Sequence, residues 1–209
     1  LRPFVLKRRL PDTFSRAPLM VSTEGGLKYL FKSLAQVDPV LLWLAETFVK
    51  PGMIVWDVGA NVGLFSVASA AKATSSGKVF SIEADNWMVN LLQKTMLSQP
   101  ETSAPISILS VAASQEVGIA TFNIAKRSRA TNHLTGYGTT QAGGIRETHT
   151  VITISLDWLR ERLPAAHVLK IDVEGAEVNV LEGAQKLLTE TRPIVICEVL
   201  QTNYQRVTT

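Results

Sequence analysis

Val55-Trp56-Asp57-Val58-Gly59-Ala60-Asn61-Val62-Gly63-Leu64-Phe65-Ser66 is the stretch on which the fold of this chain turns. It reads as an apolar strand that ends in an acid, turns tightly on glycine and enters a helix. Gly59 and Gly63 stand four apart, with Asn61 between them. A nicotinamide-binding loop more often shows G-x-G-x-x-G after its strand. The acid ahead of the first glycine and the wider glycine spacing favour a nucleoside ligand without a pyrophosphate. S-adenosylmethionine (SAM) meets that description, because it presents an amino acid and an adenosine but no phosphate.

Working outward, strand and helix patterns alternate. Residues 53–58, 79–83, 106–111, 168–173 and 194–199 read as strands; 62–73, 86–97 and 177–189 read as helices. Upstream, Asp38 is an N-cap and Pro39 suits the first position of a helix that Pro51-Gly52 stops. Residues 1–35 are broken by Pro3, Pro11, Pro18 and Gly25-Gly26, with a short strand expected at 19–21. Residues 117–124 and 148–154 alternate as an antiparallel pair would, and 126–147 read as a long loop between them. Ser155 caps a further short helix. Three segments are expected: an N-terminal extension with one helix (1–50), a core (51–200) and a tail (201–209). The alternation predicts an α/β fold with a mostly parallel sheet and helices on both faces.

Composition agrees with a globular enzyme-sized domain. Of 209 residues 46% are hydrophobic and 19% charged, which excludes a disordered chain. The formal charge of +3 is modest, and part of it lies in Lys7, Arg8, Arg9 and Arg16. No interleaved basic and aromatic face is visible, so nucleic acid is not the expected partner. Cys197, the single cysteine, sits in an apolar run and reads as an inert buried thiol in a reducing, cytoplasmic setting. No run of about 18 apolar residues exists, so no transmembrane helix is expected. The chain opens on Leu and lacks a signal-peptide pattern, which reads as a trimmed chain or a fragment.

In open α/β sheets ligands bind beyond the carboxyl ends of the strands, where strand order reverses. That rule selects Asp57 with Gly59, Glu83, Val111-Ala112, Asp172 with Glu174, and Glu198. Asp57 either organises the glycine turn or accepts from an ammonium group. Glu83 ends the second strand, where an acid accepts ribose hydroxyls in dinucleotide folds. Lys170-Ile171-Asp172-Val173-Glu174-Gly175-Ala176-Glu177 crowds a lysine and three carboxylates at one strand end. Period two puts Lys170 and Asp172 on one side, to pair with each other or to hold an anion. These carboxylates suit a base, the methionine part of SAM, or a divalent cation, though nothing specific supports a metal. Glu177 suits a helix N-terminus. His133 in the long loop is a further base candidate, and Arg127 and Arg129 candidates for an anionic acceptor; a solvated loop is the alternative for all three. Trp56 is expected in the core, and Trp87 near the nucleoside site.

With these residues in hand, the chain resembles the FkbM family of SAM-dependent methyltransferases. The resemblance is carried by the 55–66 stretch, Ser155-Leu156-Asp157, Leu169-Lys170-Ile171-Asp172-Val173-Glu174-Gly175-Ala176-Glu177, Val180-Leu181-Glu182-Gly183-Ala184, and Arg192-Pro193 before Glu198. It implies a class I methyltransferase (Rossmann-like) fold, a three-layer α/β/α sandwich, and methyl transfer to a hydroxyl of a sugar or natural product. It further implies that Asp57, Gly59, Asn61 and Gly63 shape or contact the SAM site and that Glu83 holds the ribose; Ala60 in the turn and Ala112 at its strand end are expected to line the same cofactor site. Asp172 would border the methionine end and the acceptor, with Asp172, Glu174 or His133 as the base. Ser81-Ile82-Glu83-Ala84-Asp85 departs from the more usual Phe-Glu-Pro segment but keeps the acid. Nine residues after Leu200 are too few for the two strands that close this fold, so that pair is expected to be missing or supplied from elsewhere. The rival readings are a non-catalytic nucleoside-binding module of the same fold and an NAD(P)-dependent oxidoreductase.

Overall fold

The protein is described by a computed structural model covering residues 4–138 and 142–199. Its centre is a sheet of five parallel strands: β3 (Ile54–Val58), β4 (Lys78–Ile82), β5 (Ile106–Leu109), β10 (Val168–Ile171) and β11 (Ile194–Cys197). The order is β11-β10-β3-β4-β5. The chain therefore runs outward from β3 to β5, then returns to the other side of β3, and the reversal falls between β3 and β10. Among the described residues β11 is an edge strand; the expectation for the chain after Leu200 falls outside them.

Period two sorts the strand residues between two apolar layers. Val55, Val79 and Val168 face one layer, where they meet Val67 and Phe65 of α4 (Leu64–Ala73) and Leu42 of α3 (Pro39–Phe48). Trp56, Phe80, Leu169 and Ile171 face the other, against Leu159 of α6 (Leu156–Arg160) and Val180 of α7 (Glu177–Glu182). Trp56 is fully buried and meets Phe80 edge-on, as a core residue should. Asp57 and Lys170 alternate with these apolar positions, and the β10–β3 register sets them side by side. The register thus buries an acid next to a base, each lodged in an otherwise apolar strand.

The caps read from the sequence form: Asp38 accepts from the Leu41 N–H at 2.9 Å and Ser155 from the Trp158 N–H at 3.2 Å. The expected helix over 177–189 is interrupted. A Cβ at Gly183 would meet the Ser114 carbonyl at 2.3 Å, so the chain is pressed against the 114–115 backbone there. Asp157 then takes the Lys186 and Leu187 N–H groups, and the chain continues as one π turn (Leu187–Thr191).

Two further parts flank the sheet. Before β3 lie more elements than the one helix and the short strand at 19–21 that were expected. β1 (Val5–Arg9) and β2 (Pro18–Ser22) pair antiparallel, followed by the one-turn helices α1 (Lys28–Phe31) and α2 (Leu34–Val37). The hairpin docks on α5 (Asn86–Met96), where the Met20 N–H donates to Thr95 Oγ1 at 2.9 Å. After β5 comes a second sheet of β6 (Ala112–Ala113), β7 (Gly118–Ala125), β8 (His133–Leu134) and β9 (Ile145–Ile154). β7 and β9 are antiparallel as expected. The segment expected to be a loop over 126–147 is partly structured: β8 pairs with β7, a 3-10 turn spans Arg129–Thr131, and β9 starts at Ile145.

Candidate functional site

The carboxyl ends of β3, β4 and β10 converge on a cleft. Its floor is the glycine turn. Gly59 and Ala60 donate their N–H groups to the Ile82 carbonyl at 2.9 and 3.1 Å, which folds the turn back over β4. Gly59 has φ +75°, and a Cβ there would lie 1.8 Å from the Asp172 carbonyl oxygen. Glycine is therefore required by the neighbouring strand end as much as by any ligand. Gly63 has φ +88° and faces Leu92 of α5, so it serves the helix start.

Asp57 lies beneath this floor and is fully buried. Ser66 Oγ donates to it at 2.6 Å, and Lys170 Nζ stands 3.3 Å from its other oxygen. Lys170 also lies 3.4 Å from Asp172 and donates to the Gly59 carbonyl at 2.9 Å. Burial disfavours the ammonium, yet the Asp57 and Asp172 charges outweigh it and hold Lys170 above an ordinary lysine. Asp57 thus faces the Lys170 ammonium, and Lys170 pairs with carboxylates and reaches the turn through the Gly59 carbonyl.

Glu83 stands on the cleft wall. Its two oxygens accept the Asn61 N–H at 2.7 Å and the Asp85 N–H at 2.8 Å. A carboxylate offers about four lone-pair sites, so two remain for hydroxyl donors. Burial pushes the Glu83 carboxyl up to about 7, against the pull of those two N–H groups. Asn61, in the left-handed region at φ +51°, also lines the cleft, and its buried Oδ1 has no protein partner. The far wall is apolar, with Met88, Ala112, Phe122 and Leu134. Arg129 is the one cation lining the cleft among the described residues, and its guanidinium is taken. It holds both Asp85 oxygens at 2.7 and 2.9 Å, pairs with Glu24 at 3.1 Å and lies over the Trp87 ring. The arrangement fits a ribose at Glu83, a flat apolar base beyond it and a donor at Asn61, and it leaves no cation for a phosphate.

Asp172, Val173 and Glu174 close the opposite end. Glu174 has φ +56°, and its carboxyl is pushed up to about 7 by burial and then by the charges of Asp172, Glu198 and Glu177. Glu177, read from the sequence as a helix-start acid, is buried and holds the strand-end turn: its Oε1 accepts from Gly175 at 2.9 Å and Val173 at 3.3 Å. No group of carboxylates, histidines or cysteine able to hold a metal occurs among the described residues.

The structure thus brings Gly59, Asn61, Glu83, Ala112, Asp172 and Glu174 to one cleft. Asp57, Ala60 and Gly63 support it without lining it. His133 does not line it either: it is buried in β8, with Nδ1 3.1 Å from the Thr131 carbonyl and its ring filling the space above Gly138. Trp87 packs under Arg129 rather than on the cleft wall. Arg129, expected in a solvated loop or on an acceptor, is instead a buried clamp. Asp85 and Asn132 escaped the sequence reading. Asp85 caps α5 through the Trp87 N–H, accepts Arg129 and takes Asn132 Nδ2 at 2.8 Å. The Asp-Asn-Trp start of a helix was a readable capping signal, but its distant partners were not.

Comparison with known proteins agrees with this geometry. Residues 57–208 match the methyltransferase FkbM domain. The hexuronic acid methyltransferase AglP of Haloferax volcanii is 27% identical over 194 residues, covering 87% of this chain and 74% of its own. The crystal structure of methyltransferase FkbM from Methylobacillus flagellatus superposes with a TM-score of 0.50 at 15% identity, over 75% of this chain. This chain spans 39% of that one's length. Precorrin-6y C5,15-methyltransferase from Geobacter metallireducens gives a TM-score of 0.50 at 10% identity, over 87% of this chain and 71% of its own. The architecture is the class I methyltransferase fold, and the chain belongs to the FkbM methyltransferase family.

Proposed function

We propose that this chain binds SAM in the cleft at the carboxyl ends of β3, β4 and β10 and transfers its methyl group to a hydroxyl of a sugar or related small molecule. The observation that carries the reading is Glu83, buried beside Asn61 with two lone-pair sites left over, in a cleft whose one cation among the described residues is already paired. Bound SAM would supply a methyl carbon activated by a positive sulfur, so the protein's own task is alignment, water exclusion and proton removal. Glu83 would hold the ribose, and Met88, Ala112, Phe122 and Leu134 would enclose the base. Gly59 and Asn61 would face the amino-acid part, over the floor fixed by Asp57 and Lys170. Asp172 and Glu174, which line the cleft, would take the proton of the acceptor hydroxyl. Glu174 is the better base, since a carboxyl near 7 matches a proton taken up near neutral pH.

The sugar class is supported by the archaeal relative, named for hexuronic acid. A nicotinamide cofactor is disfavoured because a pyrophosphate finds no free cation on the cleft wall among the described residues. No helix among the described residues is long and apolar enough to cross a membrane, and the single Cys197 suits a cytoplasmic setting. The test is transfer of labelled methyl from SAM to a panel of neutral, amino and acidic glycosides. Labelled glycoside is expected, lost in Glu174→Gln with SAM affinity retained. Transfer to none of them, by protein that binds SAM, would remove the sugar assignment.

A further inference from the structure

A second cleft opens at the same end of the sheet between α3 and the strands β10 and β11. Leu41, Leu44 and Ile196 give it an apolar floor, and Asp38, Asp172 and Glu198 give it an acidic rim. Asp172 belongs to the walls of both clefts, so a molecule in the second would abut one in the first.

The rim's charge is only partly neutralised from within. Lys170 is the one cation lining this cleft among the described residues. An ammonium has three N–H donors, and Lys170 faces three buried or half-buried acceptors: Asp57, Asp172 and the Gly59 carbonyl. Its charge is already shared between those two carboxylates. Asp38 spends one oxygen on the Leu41 N–H and keeps the rest of its accepting capacity. Glu198 feels Asp172 directly: that charge first, and burial second, raise its carboxyl. Carboxylates alone would make only a charged surface. Here they rim a cavity with an apolar floor, next to the cofactor cleft. An apolar floor accommodates the C–H face of a pyranose, and ionised carboxylates are acceptors that match its hydroxyl donors.

We infer that this second cleft seats the methyl acceptor, and that its acidic rim selects uncharged, hydroxyl-rich sugars and rejects acceptors carrying a carboxylate or phosphate. The inference rests on the methyltransferase reading above and narrows it. It separates this chain from the archaeal relative, whose name specifies an acidic sugar. A carboxylate brought against Asp38, Asp172 and Glu198 would meet like charge, a repulsion that salt screens and that is greatest at low ionic strength.

The test compares methyl β-glucopyranoside with the corresponding methyl glucopyranosiduronate by saturation-transfer NMR on protein loaded with S-adenosylhomocysteine. Binding of the neutral glycoside should be stronger by on the order of ten-fold or more, at low ionic strength. Val40, on the cleft rim and 62% exposed, can be enlarged without disturbing the core. Val40→Trp should abolish the neutral glycoside signal while SAM affinity holds. Glu198→Gln should narrow the gap between the two sugars several-fold. Equal or tighter binding of the uronate, no glycoside binding, or insensitivity to Val40→Trp would overturn the inference. Labelled-methyl transfer on the same two sugars keeps the two levels apart. Transfer to the uronate, or transfer untouched by Val40→Trp, removes the acceptor assignment and leaves the methyltransferase reading standing. Failure to bind SAM removes both.

Discussion

Replacing Lys170 with methionine isolates what the buried ion cluster does. The ammonium lies 3.3 Å from Asp57, 3.4 Å from Asp172 and 2.9 Å from the Gly59 carbonyl. Asp172 keeps a 32% exposed side chain, so water screens its share. Asp57 has no exposure, and without the lysine its remaining side-chain donor is Ser66. Breaking a buried pair by deleting one partner costs roughly 3–5 kcal/mol, a large part of a typical stability of roughly 5–15 kcal/mol. With a urea slope of about 2 kcal/mol per molar, the unfolding midpoint should fall by about 2 M. Adding Asp57→Asn removes the stranded charge and keeps an oxygen for Ser66, so the double variant should regain about half of the loss or more. Urea unfolding followed by circular dichroism measures both. A Lys170→Met midpoint within about 0.3 M of wild type, or a double variant less stable than the single one, would refute the assignment of Asp57 and Lys170 as the structural floor of the cleft.

Other substitutions probe the walls. Glu83→Gln loses charge-assisted bonds to the ribose and should weaken SAM binding by about ten-fold or more, read by calorimetry. The same residue sets a pH dependence. Its folded carboxyl titrates near 7 against an ordinary 4.5, so between those values the folded chain keeps a proton that the unfolded chain has lost. Its contribution to the stability of the unliganded protein is therefore full below 4.5 and declines as pH rises toward 7, by at most about 1.4 kcal/mol per pH unit; Glu83→Gln should flatten that slope in urea titrations. SAM affinity should move the opposite way, rising through pH 7 as the carboxylate forms, with proton release in calorimetry. Arg129→Met strands the buried Asp85 and should cost about 3 kcal/mol, with faster amide exchange across 126–138 as the clamp opens. Gly59→Ala sets a Cβ against the Asp172 carbonyl and should give little folded protein by circular dichroism.

The fold was legible because its signals are local. Val55-Trp56-Asp57-Val58-Gly59 states a strand and its turn within five residues, and Asp38-Pro39 and Ser155 state their helix starts. Glu83 was legible because strand ends in α/β sheets are where ligands bind. Charge partners were not, since they depend on register and long-range packing. Nothing near residue 129 announces a bond to Asp85, 44 positions away, or to Glu24 at the far end of the chain. The same holds for 126–147, where Thr, Gly and Arg obscure a short strand that exists because β7 offers an edge to His133 and Leu134. Asp57 shows the limit from the other direction. Its place beside the glycine turn was evident, but only the β3–β10 register shows that it faces Lys170 beneath the cleft.

The central claim is that this cleft takes an adenosyl group without a phosphate. Calorimetric titration of the folded protein with SAM, S-adenosylhomocysteine and NADH tests it most directly. The account predicts saturable binding of SAM and S-adenosylhomocysteine, weakened in Glu83→Gln, and no binding of NADH. Binding of NADH with no response to SAM or S-adenosylhomocysteine would contradict it.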